Sequence, residues 1–243
     1  MTQNKDYEYL EYRAENRVHV VQFGNPPVNL LTSEIQDELR TAVRRFEDDV
    51  ESLVLLFRGE PGGVFSGGRN LNESKSWIES DDIEREVETA WRRGRRLLDE
   101  IANASKVTIA VVEGAAVGGG AELLLPFDFI FASESAEIGF PEIKRGLFPG
   151  TGALELLEES IGHRKTLEAL LTGDLESASD WSDVGLVTHS CEPGTTYERA
   201  RKFADAISRR PRPAVIAIKK VSHAYRKRDT EDARHFELAR FQN

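Results

Sequence analysis

A mixed α/β fold is expected of this 243-residue chain, on three observations. The run Val107 to Val112 is wholly apolar apart from Thr108 and rich in β-branched residues, as a buried strand should be. Residues 33–46 and 84–102 carry apolar side chains at helical spacing: Ile35, Leu39, Val43 and Phe46 in the first, Val87, Trp91, Leu98 and Ile101 in the second. Between the strand and the helical run Ala121 to Leu125 lies Gly118-Gly119-Gly120, so strand, glycine turn and helix follow one another directly.

The remaining elements follow in order. Residues 7–13 and 17–23 read as two strands around Ala14-Glu15-Asn16, and Asn25-Pro26-Pro27 ends the second. Thr32 or Ser33 caps the first helix. Leu53 to Phe57 is a buried strand, closed by the turn Gly59-Glu60-Pro61-Gly62-Gly63. Asp128 to Ala132 is a further strand, and helices are expected at 152–160, 163–171 and 178–184. Gly185 to Ser190 reads as the last strand. From Thr196 the chain is helical, broken at Pro211 and Pro213.

Composition narrows the function. A hydrophobic fraction of 40% supports a sizeable core. A formal net charge of −10 argues against a nucleic-acid partner. Cys191 is the single cysteine, so no disulfide can form within the chain, which suits the cytoplasm. No apolar stretch has the length of a membrane span, and the first residues lack the apolar centre of a signal peptide.

The glycine turn is the first candidate site. Bare backbone N–H groups at a helix start favour a developing negative charge. Glu122 lies at that turn, and a second carboxylate, Glu142, follows in Gly139-Phe140-Pro141-Glu142-Ile143. Backbone donors for an oxyanion together with two carboxylates suit acid–base chemistry on a carbonyl compound. A lone glutamate in either place is more often a helix-terminus or solvated loop acid. Other chemistries lack their motifs. Gly114 to Gly120 does not give G-x-G-x-x-G, and no Walker-type lysine follows. Val64 breaks any G-x-S-x-G elbow around Ser66. His19, His163, His189, His223 and His235 show no metal-ligand spacing, so no metal is expected. Arg92-Arg93-Gly94-Arg95-Arg96 reads as the solvated side of its helix, and Trp77 and Trp91 as core or interface residues.

Four segments in order resemble the enoyl-CoA hydratase/isomerase, or crotonase, superfamily, from about residue 7 to 225. They are Gly24-Asn25-Pro26-Pro27-Val28-Asn29-Leu30-Leu31, Phe65-Ser66-Gly67-Gly68-Arg69-Asn70-Leu71, Gly118-Gly119-Gly120-Ala121-Glu122-Leu123, and Ala136 to Gly152. The second matches the family's F-S-A-G-A-D-L and the third its G-G-G-x-E-L. Leu171-Thr172-Gly173 and Gly185-Leu186-Val187 add two landmarks.

The resemblance implies a spiral of ββα units over residues 1–194 and a helical oligomerisation region over 195–243. It implies acyl-CoA thioester substrates, with coenzyme A part of the substrate and no separate cofactor, and a homotrimer or hexamer. Carried over by position, the N–H groups of Arg69 and Gly119 hold a thioester enolate. Ser66, Gly67, Gly68, Asn70, Leu71 and Gly118 frame the substrate. In the hydratase branch Glu122 deprotonates a water for attack at Cβ, and Glu142 protonates Cα. Isomerases of the family often keep only the position of Glu142. The expectation is therefore a 2-enoyl-CoA hydratase. The alternatives are a Δ3–Δ2 enoyl-CoA isomerase, a hydrolase or decarboxylase, or a catalytically silent acyl-CoA-binding member.

Three departures stand out. Arg69 replaces a small residue, and Asn70 replaces an acid. Pro26 stands where many relatives have a basic residue beside the nucleotide. The chain also ends short of the family's usual final helical segment, so the expectation is either weak coenzyme A affinity or a pocket completed by a neighbouring subunit.

Overall fold

The computed structural model describes residues 7–73, 80 and 82–226. Trp77, His235 and residues 227–243 of the expected oligomerisation region lie outside them. The largest sheet has six strands: β1 (Leu10–Glu15), β2 (Val18–Phe23), β4 (Val54–Arg58), β6 (Val107–Val112), β8 (Phe129–Ser133) and β11 (His189–Cys191), neighbours in that order. β1 pairs antiparallel with β2 as a hairpin. All other pairings in this sheet are parallel. Strands β4 and β6 are buried along their whole length, which explains their unbroken apolar character.

A second layer consists of very short strands. β3 (Leu30–Leu31) pairs with β5 (Gly68–Arg69), and β7 (Ala116–Val117) lies parallel to β9 (Glu137–Gly139), which meets β10 (Leu175–Ser177). A bridge between Ser66 and Ala116 links the two pairs. The chain runs from a long strand to a short strand to a helix, and repeats. Thus β2 and β3 lead to α1 (Ser33–Asp48), β4 and β5 to α2 (Ile83–Ala102), and β6 and β7 to α3 (Gly119–Glu122). After β8 and β9 come a 3-10 helix (Pro141–Arg145), α4 (Ala153–Ile161), α5 (His163–Thr172) and α6 (Ala178–Asp183). This is the expected spiral of ββα units.

Thr32 caps α1 through a bond from the Ile35 N–H to its Oγ1. One apolar cluster joins Ile35, Leu39, Val43 and Phe46 of α1 and Leu97, Leu98 and Ile101 of α2 to one sheet face. On the other face lie α7 (Thr196–Ser208) and α8 (Arg212–Arg226), whose Phe203, Ile207 and Val215 pack against a second cluster. Lys219 of α8 is buried and donates to the Asp128 carboxylate at 2.6 Å and to the Lys106 carbonyl. Phe203, Ile207 and Val215 are therefore used within the subunit, whereas Ile218 stands far out, at 72% exposure.

Four sequence expectations are corrected. The last strand is His189–Cys191, because Leu186 and Val187 turn back to the Trp181 carbonyl instead of pairing. Pro213 does not break a helix: it is the second residue of α8, where no N–H bond is lost. The buried stripe of α2 is Ala90, Gly94, Leu97, Leu98 and Ile101, and Val87 and Trp91 face outward. The helix after the glycine turn begins at Gly119, not Ala121, and is a single turn.

Candidate active site

The glycine turn owes its shape to β7. Val117 pairs with Gly139, and the Gly118 N–H donates to the Gly139 carbonyl at 2.9 Å. Gly118 then adopts φ 55° and ψ −124°, a conformation open essentially to glycine, and α3 starts at Gly119. A one-turn helix has little macrodipole, so the value of this turn for an anion lies in its first N–H groups, which have no intrahelical acceptor. Gly119 and Glu122 are three residues apart and share one face of the turn.

Close approach brings the second donor in. A Cβ on Gly68, at φ 92°, would lie 2.6 Å from the Val117 carbonyl oxygen and 3.2 Å from the Gly119 nitrogen. A Cβ on Gly119 would lie 3.3 Å from the Arg69 nitrogen. The N–H groups of Arg69 and Gly119 are thus brought together by segments that pack backbone on backbone, as a two-donor oxyanion site requires.

The two carboxylates flank this pair. Glu122 is buried, and its Oε1 accepts the Thr151 N–H at 2.9 Å. Beside it lies a cavity of about 30 Å³ whose lining includes Arg69, Gly94, Gly119, Glu122 and Thr151. That is room for one or two water molecules. Glu142 is the second residue of the 3-10 helix, after Pro141, and its Oε1 lies 2.8 Å from where a Cβ on Gly118 would sit. Its Oε2 is buried without a hydrogen-bond partner. Burial pushes the Glu142 carboxyl up to about 7, its own backbone N–H pulls the other way, and the charge of Glu122 adds to the rise.

The Arg69 side chain turns inward. It lines the cavity beside Glu122, and its Nη2 is 3.3 Å from where a Cβ on Gly94 would lie. Burial pulls the guanidinium below its ordinary value, opposed by Glu122 and Glu73. It stays charged at any working pH.

The framing residues divide. The Ser66 side chain is fully buried, donates to the Asn29 carbonyl at 2.7 Å and accepts the Gly68 N–H at 3.1 Å. Its side chain thereby shapes the loop that carries Gly68 and Arg69. Gly67 donates to the Val28 carbonyl, and Asn70 caps its own loop by accepting the Asn72 N–H. Leu71 is exposed. Arg93 and Arg95 leave the solvated face for partners: Arg93 meets Ser33 and Asp37, Arg95 meets Asp99 and Glu155. Two participants were not legible as motifs: the Thr151 N–H, and Gly94, which clears space for both Arg69 and Thr151.

Among the described residues no helix is long and apolar enough to cross a membrane. The sequence profile described as enoyl-CoA hydratase/isomerase matches residues 13–243. The chain is 29% identical over 238 residues to a probable enoyl-CoA hydratase of Rhizobium meliloti (strain 1021), covering 98% of this chain and 90% of that protein. It is 32% identical over 208 residues to a mitochondrial enoyl-CoA hydratase of Pongo abelii, covering 84% of this chain and 69% of that one. Among solved structures, an enoyl-CoA hydratase subunit I from Geobacillus kaustophilus HTA426 superposes with a TM-score of 0.87 at 28% identity, covering 98% of this chain and 90% of that one. The chain therefore belongs to the enoyl-CoA hydratase/isomerase family.

Proposed function

We propose that this chain is a 2-enoyl-CoA hydratase. The thioester oxygen accepts from the Arg69 and Gly119 N–H groups. Glu122 removes a proton from a water in the adjoining cavity as its oxygen attacks Cβ. The electron pair moves to the thioester oxygen as an enolate, and Glu142 returns a proton to Cα. The observation that carries this reading is the unlike surroundings of the two acids. Glu122 accepts a peptide N–H and lies near a guanidinium, beside the cavity that would hold the attacking water. Glu142 is buried with an unpartnered oxygen, which favours a neutral acid. No separate cofactor enters these steps.

The deciding assay uses chelator-treated protein with crotonyl-CoA, a 3-enoyl-CoA and free crotonate, followed by enoyl absorbance. Loss of absorbance with crotonyl-CoA alone is expected. A free carboxylate is already anionic and forms an enolate far less readily. Conversion of the 3-enoyl-CoA alone would make the chain an isomerase. Binding of crotonyl-CoA without turnover would make it a silent member. Activity restored only by added metal, or equal activity on crotonate, would overturn the enolate reading.

We also infer assembly as a trimer or a dimer of trimers. The support is apolar surface that the described residues leave exposed: Val87, Leu154, Phe148 and Ile218 are all more than a third exposed, Phe148 by 79%. Light scattering should give three or six times the 27.3 kDa chain mass. A monomer mass across a wide concentration range would refute it.

A further inference from the structure

Trp91 lies on the outward face of α2, yet its indole Nε1 donates to the Gly150 carbonyl oxygen. The N–H of that same peptide group belongs to Thr151, and it donates to Glu122 Oε1 at 2.9 Å. In a trans peptide the C=O and N–H point in opposite directions. One rigid amide therefore spans from the indole to the carboxylate. We propose that Trp91 is a positioning residue for Glu122, acting through the Gly150–Thr151 peptide group.

The surroundings give this link a purpose. The segment before it is exposed from Ile143 to Phe148, and glycines with positive φ lie within it and after it, Gly146 at 71° and Gly152 at 138°. Such a segment has few packing restraints of its own. Thr151 is its buried anchor, and the Thr151 methyl fits against α2 because residue 94 is glycine: a Cβ there would come within 2.6 Å of it. A mid-helix glycine is destabilising relative to alanine, so α2 gives up helix stability to admit Thr151. Trp91 sits almost one turn earlier on the same helix and fixes the other end of the amide. A donor on the carbonyl polarises the peptide and strengthens the bond that its N–H makes. The charged groups around Glu122 are Arg69 from β5 and Glu142 from the 3-10 helix, with Glu73 beyond Arg69.

The inference rests on Glu122 being the general base, so its test needs one measurement that does not depend on turnover. Trp91→Phe keeps a ring and loses the donor; Trp91→His keeps a ring N–H. In crotonyl-CoA hydration, Trp91→Phe should lower kcat about fivefold, the worth of one ordinary hydrogen bond, with KM nearly unchanged. The acidic limb of its pH profile should move to higher pH, and Trp91→His should recover part of both effects. Independently, the carboxyl carbon-13 signal of Glu122 should titrate at higher pH in Trp91→Phe than in the parent. A parent that turns over no enoyl-CoA defeats the hydratase reading, and the carbon-13 titration still decides the link. An unmoved titration, or a fall in kcat with an unmoved acidic limb, would overturn the role of Trp91.

Discussion

Glu142→Gln should lose about 10²–10⁴-fold in crotonyl-CoA hydration, the usual worth of a positioned acid or base, while still binding coenzyme A thioesters. Glu122→Gln should lose a similar factor for a different reason, and pH separates the two. The Glu142 carboxyl lies at about 7, so parent turnover should fall as pH rises past that point and the acid form disappears. Glu122→Gln should keep that decline in its residual activity; Glu142→Gln should lack it. Stability supplies a second reading with its own sign. A carboxyl raised from an ordinary 4.5 to about 7 binds a proton more tightly in the folded state. Its contribution to stability is complete below the lower value and is lost as pH climbs through the upper one. Urea midpoints of the parent should therefore decline over that window, and those of Glu142→Gln should decline less. Near-parent turnover in Glu142→Gln would remove it from the acid's role. If Glu122→Gln alone kept its activity, the isomerase reading would gain.

The large sheet and the long helices were legible because each carries its own signal. Val107 to Val112 is buried at every position, and Ile35, Leu39, Val43 and Phe46 lie on the one face of α1 that meets the core. The second layer was not. Leu30–Leu31, Gly68–Arg69 and Ala116–Val117 are too short for any period to show, and they exist only because partners far along the chain supply their hydrogen bonds. The α2 stripe was misread for a related reason. A tryptophan counts as a core residue in a helical pattern, yet the residue that meets the core next to it is Gly94, invisible to a hydrophobic count.

The site divides along the same line. Glu122 and Glu142 could be found because each sits in a recognisable local frame. What distinguishes them chemically is not local: Glu122 accepts the Thr151 N–H, 29 residues along the chain, and Glu142 meets the turn at Gly118 while its Oε2 is left buried and unpartnered. The Arg69 side chain is the clearest case. As an N–H donor its position followed from the motif, but its direction was set by the absence of a side chain at residue 94, on another element.

Gly118→Ala tests how the turn and the acid depend on one another. Gly118 holds φ 55° and ψ −124°, and an alanine forced into such a region costs about 1–3 kcal/mol. Its methyl would also lie 2.8 Å from Glu142 Oε1. A carboxylate at the end of a side chain yields more readily than backbone, so the protein should fold with a lower thermal midpoint and an acid moved off its mark. Hydration should fall by about 10²-fold or more, approaching the loss of the acid itself. Gly146→Ala is the control: it also has positive φ, 71°, but no heavy atom lies within 4 Å of the added carbon. It should lose stability and keep most activity. The double variant Gly118→Ala/Glu142→Gln then closes the cycle. If the methyl acts by displacing Glu142, adding it to Glu142→Gln should cost little further activity, a strong departure from additivity. Losses that simply multiply would show instead that Gly118→Ala damages the oxyanion donors of the turn, and that Glu142 stands independently of it.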